Sequence, residues 1–137
     1  MPDGRIGQFD VLPDASAPGY ARRWLRDALG SADGSDDSVD LLVLVVDELV
    51  TNAVIHANTP IHVTVERREP YYRCVVRDEC HDGPLPRIVD LTAGHGRGLR
   101  LVDRFSADWG VDRDPEGTAV WALIADDLAG PEPGGTR

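Results

Sequence analysis

The chain of 137 residues contains no lysine, so all 14 of its basic side chains are arginines. This absence excludes a phosphate-binding loop of the Walker type, which requires its lysine. It also excludes Schiff-base chemistry on a lysine side chain. The net charge of −10 argues against a protein that binds nucleic acid through a broad basic surface, but it is compatible with a partner that has a basic face.

Cysteines are few, and long hydrophobic runs are missing. Cys74 and Cys80 do not have CxxC spacing, and a zinc site that combined them with His81 and another histidine would fit no common pattern. No apolar run is long enough to span a membrane, and residues 1–5 lack the pattern of a signal peptide. We therefore expect one cytoplasmic domain without a membrane segment.

The longest apolar run follows Ser38, which is the predicted N-cap of a helix that ends near Ala57. The run is apolar on most sides, so the helix is predicted to be buried. Glu48, Asn52 and His56 recur at every fourth position and would share one face. A buried carboxylate or amide needs a partner, so either a ligand or an internal hydrogen-bond network must face these residues. The helix alone does not decide between the two.

The rest of the pattern predicts helices that are separate from hairpins. A first strand over residues 9–12 precedes a helix over 16–30; after the buried helix come a hairpin, a long loop, a third helix and a second hairpin. This order is typical of an α+β fold, a two-layer sandwich in which helices cover one face of a mixed, mostly antiparallel sheet. We predict a flexible segment 1–8, a domain 9–125 and a disordered tail 126–137.

Two further stretches have the residue types of a nucleotide site. Gly94, Gly96 and Gly98 precede a predicted helix, where free backbone N–H groups and missing side chains let a phosphate approach closely. A glycine-rich hinge explains the three glycines equally well. Asp78 ends an apolar strand, where its carboxylate can accept a hydrogen bond from an amino group such as that of adenine. Taken alone, Asp78 is more simply an ordinary acid at a strand end.

In combination, these stretches resemble the ATP-binding fold shared by gyrase, heat-shock chaperones, histidine kinases and mismatch-repair ATPases. The shared order is a helix with Glu-x-x-x-Asn, a strand that ends in Asp, a long loop, Gly-x-Gly-x-Gly at a helix start, and Gly117-Thr118 in a final hairpin. The segment Glu48–Ala57 is similar to the N-box of the short, single-domain members, the bacterial anti-sigma-factor serine kinases of the RsbW type. The resemblance covers residues 9–124.

The resemblance implies ATP and Mg²⁺ as cofactors and assigns roles to individual residues. Asn52 would be the ligand of a Mg²⁺ ion that bridges the ATP phosphates, and Glu48 would be the general base toward a serine hydroxyl. Asp78 would recognise the adenine amine, Thr118 would support the adenine end, and the glycine-rich segment would close over the phosphates. The implied nucleotide-binding residues are Asn52, Asp78, Gly83, Gly94, His95, Gly96, Arg97, Gly98, Leu99 and Thr118.

The implied function is that of an ATP-dependent protein serine kinase and anti-sigma factor. Its partners would be an anti-anti-sigma factor of the STAS type, a sigma factor, or both, and a homodimer is left open. One departure favours an alternative, because Cys80 stands where family members usually have a glycine, although Gly83 would restore backbone freedom. The alternative is a catalytically inactive module that binds its partner, with nucleotide structural or absent. A small autonomous ATPase is a third hypothesis.

Overall fold

The computed structural model describes residues 4–30, 36–80 and 97–126, and within these ranges three helices and five strands are present. The helices are α1 (Ala17–Leu29), α2 (Asp36–His56) and α3 (Arg97–Phe105). The strands are β1 (Gly4–Val11), β2 (Ile61–Arg68), β3 (Tyr71–Asp78), β4 (Asp108–Asp114) and β5 (Gly117–Ala125). None of the described helices is long and apolar enough to cross a membrane.

The strands form one open sheet in the order β1-β2-β3-β5-β4. All four pairings between them are antiparallel, so the described sheet is more uniform than the predicted mixed sheet. Connectivity explains two of these pairings, because β2 and β3, like β4 and β5, are joined by two-residue turns, whereas parallel neighbours need a long crossover. The predicted α+β sandwich is confirmed.

Alternation along the central strands gives the sheet one buried face. Val63 and Val65 of β2 lie opposite Val76 and Cys74 of β3, and all four side chains are buried. This face packs against α2, and helix and strand residues form a single hydrophobic core. The core residues of α2 are Val39, Leu42, Val43, Val45, Val46, Leu49, Val50 and Ala53. The prediction of a buried central helix is therefore correct.

Two ion pairs connect α1 to α2. Arg22 donates a hydrogen bond to Asp47 at 2.8 Å, and Arg26 donates one to Asp40 at 3.0 Å. The order of the pairs is reversed along the two helices, so α1 and α2 are antiparallel. Both arginines are exposed, so the two pairs lie at the surface of the helix pair.

Three boundaries differ from the sequence-based expectation. β1 begins at Gly4 and so includes residues of the predicted flexible segment. α2 begins at Asp36, so Ser38 lies inside the helix and the prediction that it is the N-cap is wrong. Ser38 is buried, with its hydroxyl 3.5 Å from a carboxylate oxygen of Asp126. Asp126, the first residue of the predicted tail, is itself buried and forms an ion pair with Arg67. The wider division of the chain stays a prediction.

Candidate functional site

Glu48 and Asn52 lie in the C-terminal half of α2, at the border of its buried face. Both side chains are half-buried, and their i, i+4 spacing places them on one side of the helix. The Nδ2 atom of Asn52 is buried and has no hydrogen-bond partner among the residues that the structure describes. An unpaired buried amide costs about 1–3 kcal/mol, so this position favours a ligand that can accept its hydrogen bond.

Asp78 is the last residue of β3, and the sheet places it on the side that α2 covers. It lies opposite Ile61 in β2 and opposite Thr118 in β5. Residues opposite each other in an antiparallel pair share a face, and Ile61 is fully buried under the helices. The Asp78 carboxylate accepts a hydrogen bond from the Cys80 N–H at 2.8 Å, which turns the chain out of the strand.

Gly117 allows the first residues of β5 to approach the end of β3 very closely. Its φ is +146°, and a Cβ there would lie 1.9 Å from the carbonyl oxygen of Asp78 and 2.9 Å from Cα of Glu79. No other residue fits this position without moving the backbone. The hydroxyl of Thr118 then donates to the carbonyl oxygen of Cys80 at 2.9 Å. Together these contacts fix the position of Asp78.

The structure describes four of the predicted site residues completely: Glu48, Asn52, Asp78 and Thr118. They lie on α2 and on the two strands, β3 and β5, that α2 contacts near the middle of the sheet. The backbone of three more opens α3, as predicted for a helix after a glycine-rich segment: Arg97, Gly98 and Leu99. The remaining four lie outside the described residues: Gly83, Gly94, His95 and Gly96.

Cys80, the departure from the family pattern, has an ordinary backbone conformation. In the described part of the chain, no residue other than glycine has a positive φ, so Cys80 does not need the freedom of a glycine. Its N–H and its carbonyl oxygen both take part in the contacts that hold Asp78 and Thr118. The backbone of Cys80 therefore supports the site, and its side chain is half-buried.

Sequence reasoning missed two residues that hold the segment after Asp78. The hydroxyl oxygen of Thr59 accepts a hydrogen bond from the backbone N–H of Glu79 at 2.9 Å. His62 lies between two carboxylates, with Nδ1 2.9 Å from Asp10 and Nε2 2.8 Å from Glu79. The hydrogen bond to Asp10, followed by that to Glu79, raises the pKa of His62. Strand pairing brings Asp10 of β1 opposite His62 of β2, and the pattern of a single element does not record such pairing.

The protein-family model for the histidine kinase-like ATPase domain matches residues 11–124 of the sequence. The chain therefore belongs to this family, whose members are ATP-binding domains, and the resemblance that its motifs suggested is confirmed at that level. Comparison with curated proteins gave no match.

Two solved structures are similar to the chain. The structure of the RsbU and RsbW domains of a Mycobacterium tuberculosis protein aligns with a TM-score of 0.65 and 17% identity, over 88% of this chain and 32% of that chain. The histidine kinase domain of a blue-light activated histidine kinase from Erythrobacter litoralis aligns with a TM-score of 0.48 and 18% identity, over 83% and 61% of the two chains. The first likeness shows the fold alone, and this chain spans about a third of the mycobacterial chain.

Proposed function

We propose that the chain is an ATP-binding serine kinase of the RsbW type, which phosphorylates an anti-anti-sigma partner and also binds a sigma factor. Family membership supports the ATP-binding part of this proposal. The observation that carries it further is the buried Nδ2 group of Asn52, which has no hydrogen-bond partner among the described residues and lies one helical turn after Glu48. A phosphate oxygen would satisfy this donor, and the carboxylate one turn away is suited to act as a base.

Asp78 would bind the adenine end of the nucleotide. A carboxylate can accept several hydrogen bonds at once, so the bond from the Cys80 N–H is compatible with a second from the exocyclic amine of adenine. The close contact at Gly117 and the bond from Thr118 would keep the carboxylate in place before the nucleotide arrives. Such preorganisation lowers the entropic cost of binding.

The side chain of Asn52 also fits a magnesium ion. Its amide oxygen is a hard ligand of the kind that Mg²⁺ prefers, and its Nδ2 group could donate to a phosphate oxygen at the same time. The described residues include no cluster of three or more His, Cys, Asp or Glu side chains that could hold a metal by themselves. This fits a metal that is bound mainly by phosphates, where it would neutralise the charge that develops during transfer.

Glu48 would take the proton of the partner's serine as its Oγ atom attacks the γ-phosphorus of ATP. A new Oγ–phosphorus bond forms, the bond from the γ-phosphorus to the bridging oxygen breaks, and ADP leaves with that electron pair. The backbone N–H groups at the start of α3 would stabilise the phosphates, because a helix N-terminus favours negative charge. Positioning and charge neutralisation can thus replace the missing lysine.

Calorimetric titration of ATP, with and without Mg²⁺, tests the nucleotide site. We expect binding that depends on Mg²⁺ in the wild type and in Asn58→Ala, whose exposed side chain lies beyond α2, and a loss of that dependence in Asn52→Ala. Absence of ATP binding by the wild type would contradict the proposed nucleotide site. Unchanged binding by Asn52→Ala would remove only the role of this residue.

A phosphorylation assay with an anti-anti-sigma partner of the STAS type tests the kinase step. We expect phosphoserine on the partner by mass spectrometry, and a rate about 10²–10⁴ lower for Glu48→Ala, the usual range for loss of a general base, with ATP still bound. Full activity of Glu48→Ala would show that this residue is not the base. A wild type that binds ATP and its partner but leaves the serine unmodified would instead favour the inactive binding module.

A further inference from the structure

His62 connects the edge strand of the sheet to the segment that follows Asp78. It is the second residue of β2 and lies opposite Asp10 of β1 in the strand register, on the sheet face away from α2. Its two ring nitrogens lie 2.9 Å from Asp10 Oδ1 and 2.8 Å from Glu79 Oε2. Because Glu79 directly follows Asp78, the contact reaches the residue next to the proposed adenine ligand.

The geometry of this bridge requires a protonated imidazole. A carboxylate oxygen accepts hydrogen bonds and cannot donate one, so a ring that serves two carboxylates must have an N–H on each nitrogen. Neutral histidine has one N–H and can therefore hold Asp10 or Glu79, but not both. The bridge exists in full only while His62 carries its proton.

The other charged groups around His62 do not replace this bridge. Arg77 lies opposite His62 in β3, but its guanidinium makes two hydrogen bonds to Asp114, at 3.1 and 3.2 Å. His62 and Glu79 line a surface pocket of about 550 Å³. Glu116, in the turn between β4 and β5, lines this pocket as well. Among the described residues, Asp10 and Glu79 are thus the two groups that form hydrogen bonds with the ring, from β1 and from the end of β3.

We propose that His62 is a positioning residue that fixes the adenine end of the nucleotide site while it is protonated and holds it less firmly after it loses the proton, because the neutral ring keeps only one of its two partners. The proposal rests on the proposed nucleotide-binding function. It adds a regulation of that site: ATP affinity falls as the pH rises. His62 does not contact the nucleotide in this scheme, because it acts through Glu79 and the neighbouring backbone of Asp78.

The direction of the effect follows from the two hydrogen bonds. Bonds to Asp10 and Glu79 raise the pKa of His62 above its ordinary value of 6.5. The bridge is therefore complete below that ordinary pKa and is lost as the pH rises through the raised pKa. The partners are partly exposed, with side-chain exposures of 36% for His62, 70% for Asp10 and 48% for Glu79. A change in ATP affinity of about two- to fivefold is the scale expected for such pairs.

Calorimetric titration of Mg-ATP into the full chain at several pH values between about 6 and 9, a range that brackets ordinary histidine titration, tests the proposal. Three proteins are compared: the wild type, His62→Gln and Asp10→Asn. The ionisation of ATP itself is the same for all three and cancels in the comparison. The single amide group that His62→Gln introduces cannot bridge both carboxylates. The ATP affinity of this variant should therefore stay near the weak limit of the wild type at every pH.

Asp10→Asn gives the opposite expectation. The amide N–H₂ of this variant can donate to Nδ1 of a neutral ring, whose remaining N–H can still reach Glu79, so both contacts survive deprotonation. Its affinity should stay at the tight limit across the pH range, while the wild type changes from the tight to the weak limit. An NMR titration of the His62 ring, which needs no nucleotide, should give a raised pKa in the wild type.

The outcomes separate the two proposals. Parallel pH profiles for the wild type, His62→Gln and Asp10→Asn, with normal ATP binding, would overturn the role of His62 and leave the nucleotide site intact. An ordinary pKa for His62 would overturn it as well. Absence of ATP binding by the wild type at every pH would overturn the proposed function, and the regulation with it.

Discussion

At the scale of single residues, Gly117 is the position where the site depends most directly on the absence of a side chain. In Gly117→Ala, the new Cβ would overlap the carbonyl oxygen of Asp78, and its φ of +146° would strain an alanine backbone. Strain and overlap together are expected to cost about 2–6 kcal/mol of unfolding free energy. ATP affinity should fall as well, because the chain at Asp78 must move. Chemical denaturation and calorimetry measure the two effects.

Gly4→Ala is the matched control for this prediction. Gly4 has nearly the same φ, +144°, but a Cβ there would have no heavy atom of the described residues within 4 Å. The control therefore measures the backbone strain alone, about 1–3 kcal/mol, and should leave ATP affinity unchanged. Equal losses of stability in the two variants would show that the close approach of Gly117 to Asp78 contributes nothing.

The two cysteines should differ in reactivity. Cys74 is fully buried in β3, and burial raises the pKa of its thiol to about 12, whereas Cys80 is half-buried at the proposed adenine end of the site. A thiol reacts as its thiolate, and it must be accessible to the reagent. Cys80 should therefore react quickly with a disulfide reagent in the folded protein, and Cys74 only after unfolding.

Cys80→Ser should remove the fast phase, and Mg-ATP should slow it in the wild type if the nucleotide lies beside Cys80. A fast phase that persists in Cys80→Ser would contradict the burial of Cys74. A fast phase that Mg-ATP leaves unchanged would argue against adenine next to Cys80.

At the scale of elements, the sequence correctly predicted the helix and strands whose apolar residues follow a clear local pattern. The continuous apolar run before Asp47 predicted the buried α2, and an alternation of apolar and polar residues, interrupted at Val75, predicted the hairpin that contains Val63 and Cys74. The start of β1 at Gly4 was not predictable in this way, because the segment alternates weakly and contains a register shift between Arg5 and Gly7. Such a strand is stabilised by its neighbour β2 rather than by its own residues.

The same limit applies to the candidate site. Asn52 and Asp78 stand out in the sequence, because a polar residue in an apolar helix and an acid at a strand end are local signals. The close approach of Gly117 and the pairing of His62 with Glu79 join parts of the chain that are far apart, and they depend on strand register. A sequence pattern describes one element at a time and therefore does not contain these contacts.

The packing of α1 on β1 depends on another missing side chain. A Cβ at Gly7 would lie 2.5 Å from Cη2 of Trp24, whose ring also lies 4.7 Å from that of Phe9. Gly7→Ala should therefore cost about 1–3 kcal/mol of unfolding free energy through overpacking. Trp24→Phe removes the ring atoms that would collide with the new Cβ. The loss of unfolding free energy in the double variant should therefore be smaller than the sum of the two single losses, by about 0.5 kcal/mol or more.

Denaturant titrations of the four proteins in this cycle measure the coupling. Gly19→Ala, in the first turns of α1, is the control, because its Cβ would meet side-chain atoms only at 3.5 Å, an ordinary contact distance. It should be neutral or slightly stabilising, since alanine favours a helix more than glycine does. Additive losses for Gly7→Ala and Trp24→Phe would mean that the two positions do not interact.

At the scale of the whole molecule, the sheet has polar contacts at both ends, and the two sets of contacts have different roles. The end with Asp78 holds the candidate nucleotide site. At the other end, Arg67 of β2 is only 3% exposed and pairs with Glu69 at 2.7 Å and with Asp126, which is fully buried just after β5. Asp126 also faces the hydroxyl of Ser38 at the start of α2. This cluster connects the hairpin, the last strand and the central helix, so it stabilises the fold around the site.

Asp126→Asn tests the contribution of this cluster. Removing one partner of a buried ion pair leaves the other charge poorly compensated, which typically costs about 3–5 kcal/mol, and we expect about 3 kcal/mol because Glu69 remains beside Arg67. The control is Asp40→Asn, which breaks the pair with Arg26 on the surface, where both side chains are more than half exposed. That change should cost at most about 1 kcal/mol.

Urea unfolding of the wild type and both variants, followed by far-UV circular dichroism, gives the free energies to compare. The difference between the two variants is the informative quantity, because each removes one charge and one ion pair while it preserves side-chain shape. A large loss in Asp126→Asn, with unchanged ATP affinity in the surviving folded protein, would show that this end of the sheet supports the domain without taking part in binding. Equal, small losses in both variants would mean that burial gives the Arg67–Asp126 pair no advantage over a surface pair, and that the core alone holds α2 on the sheet.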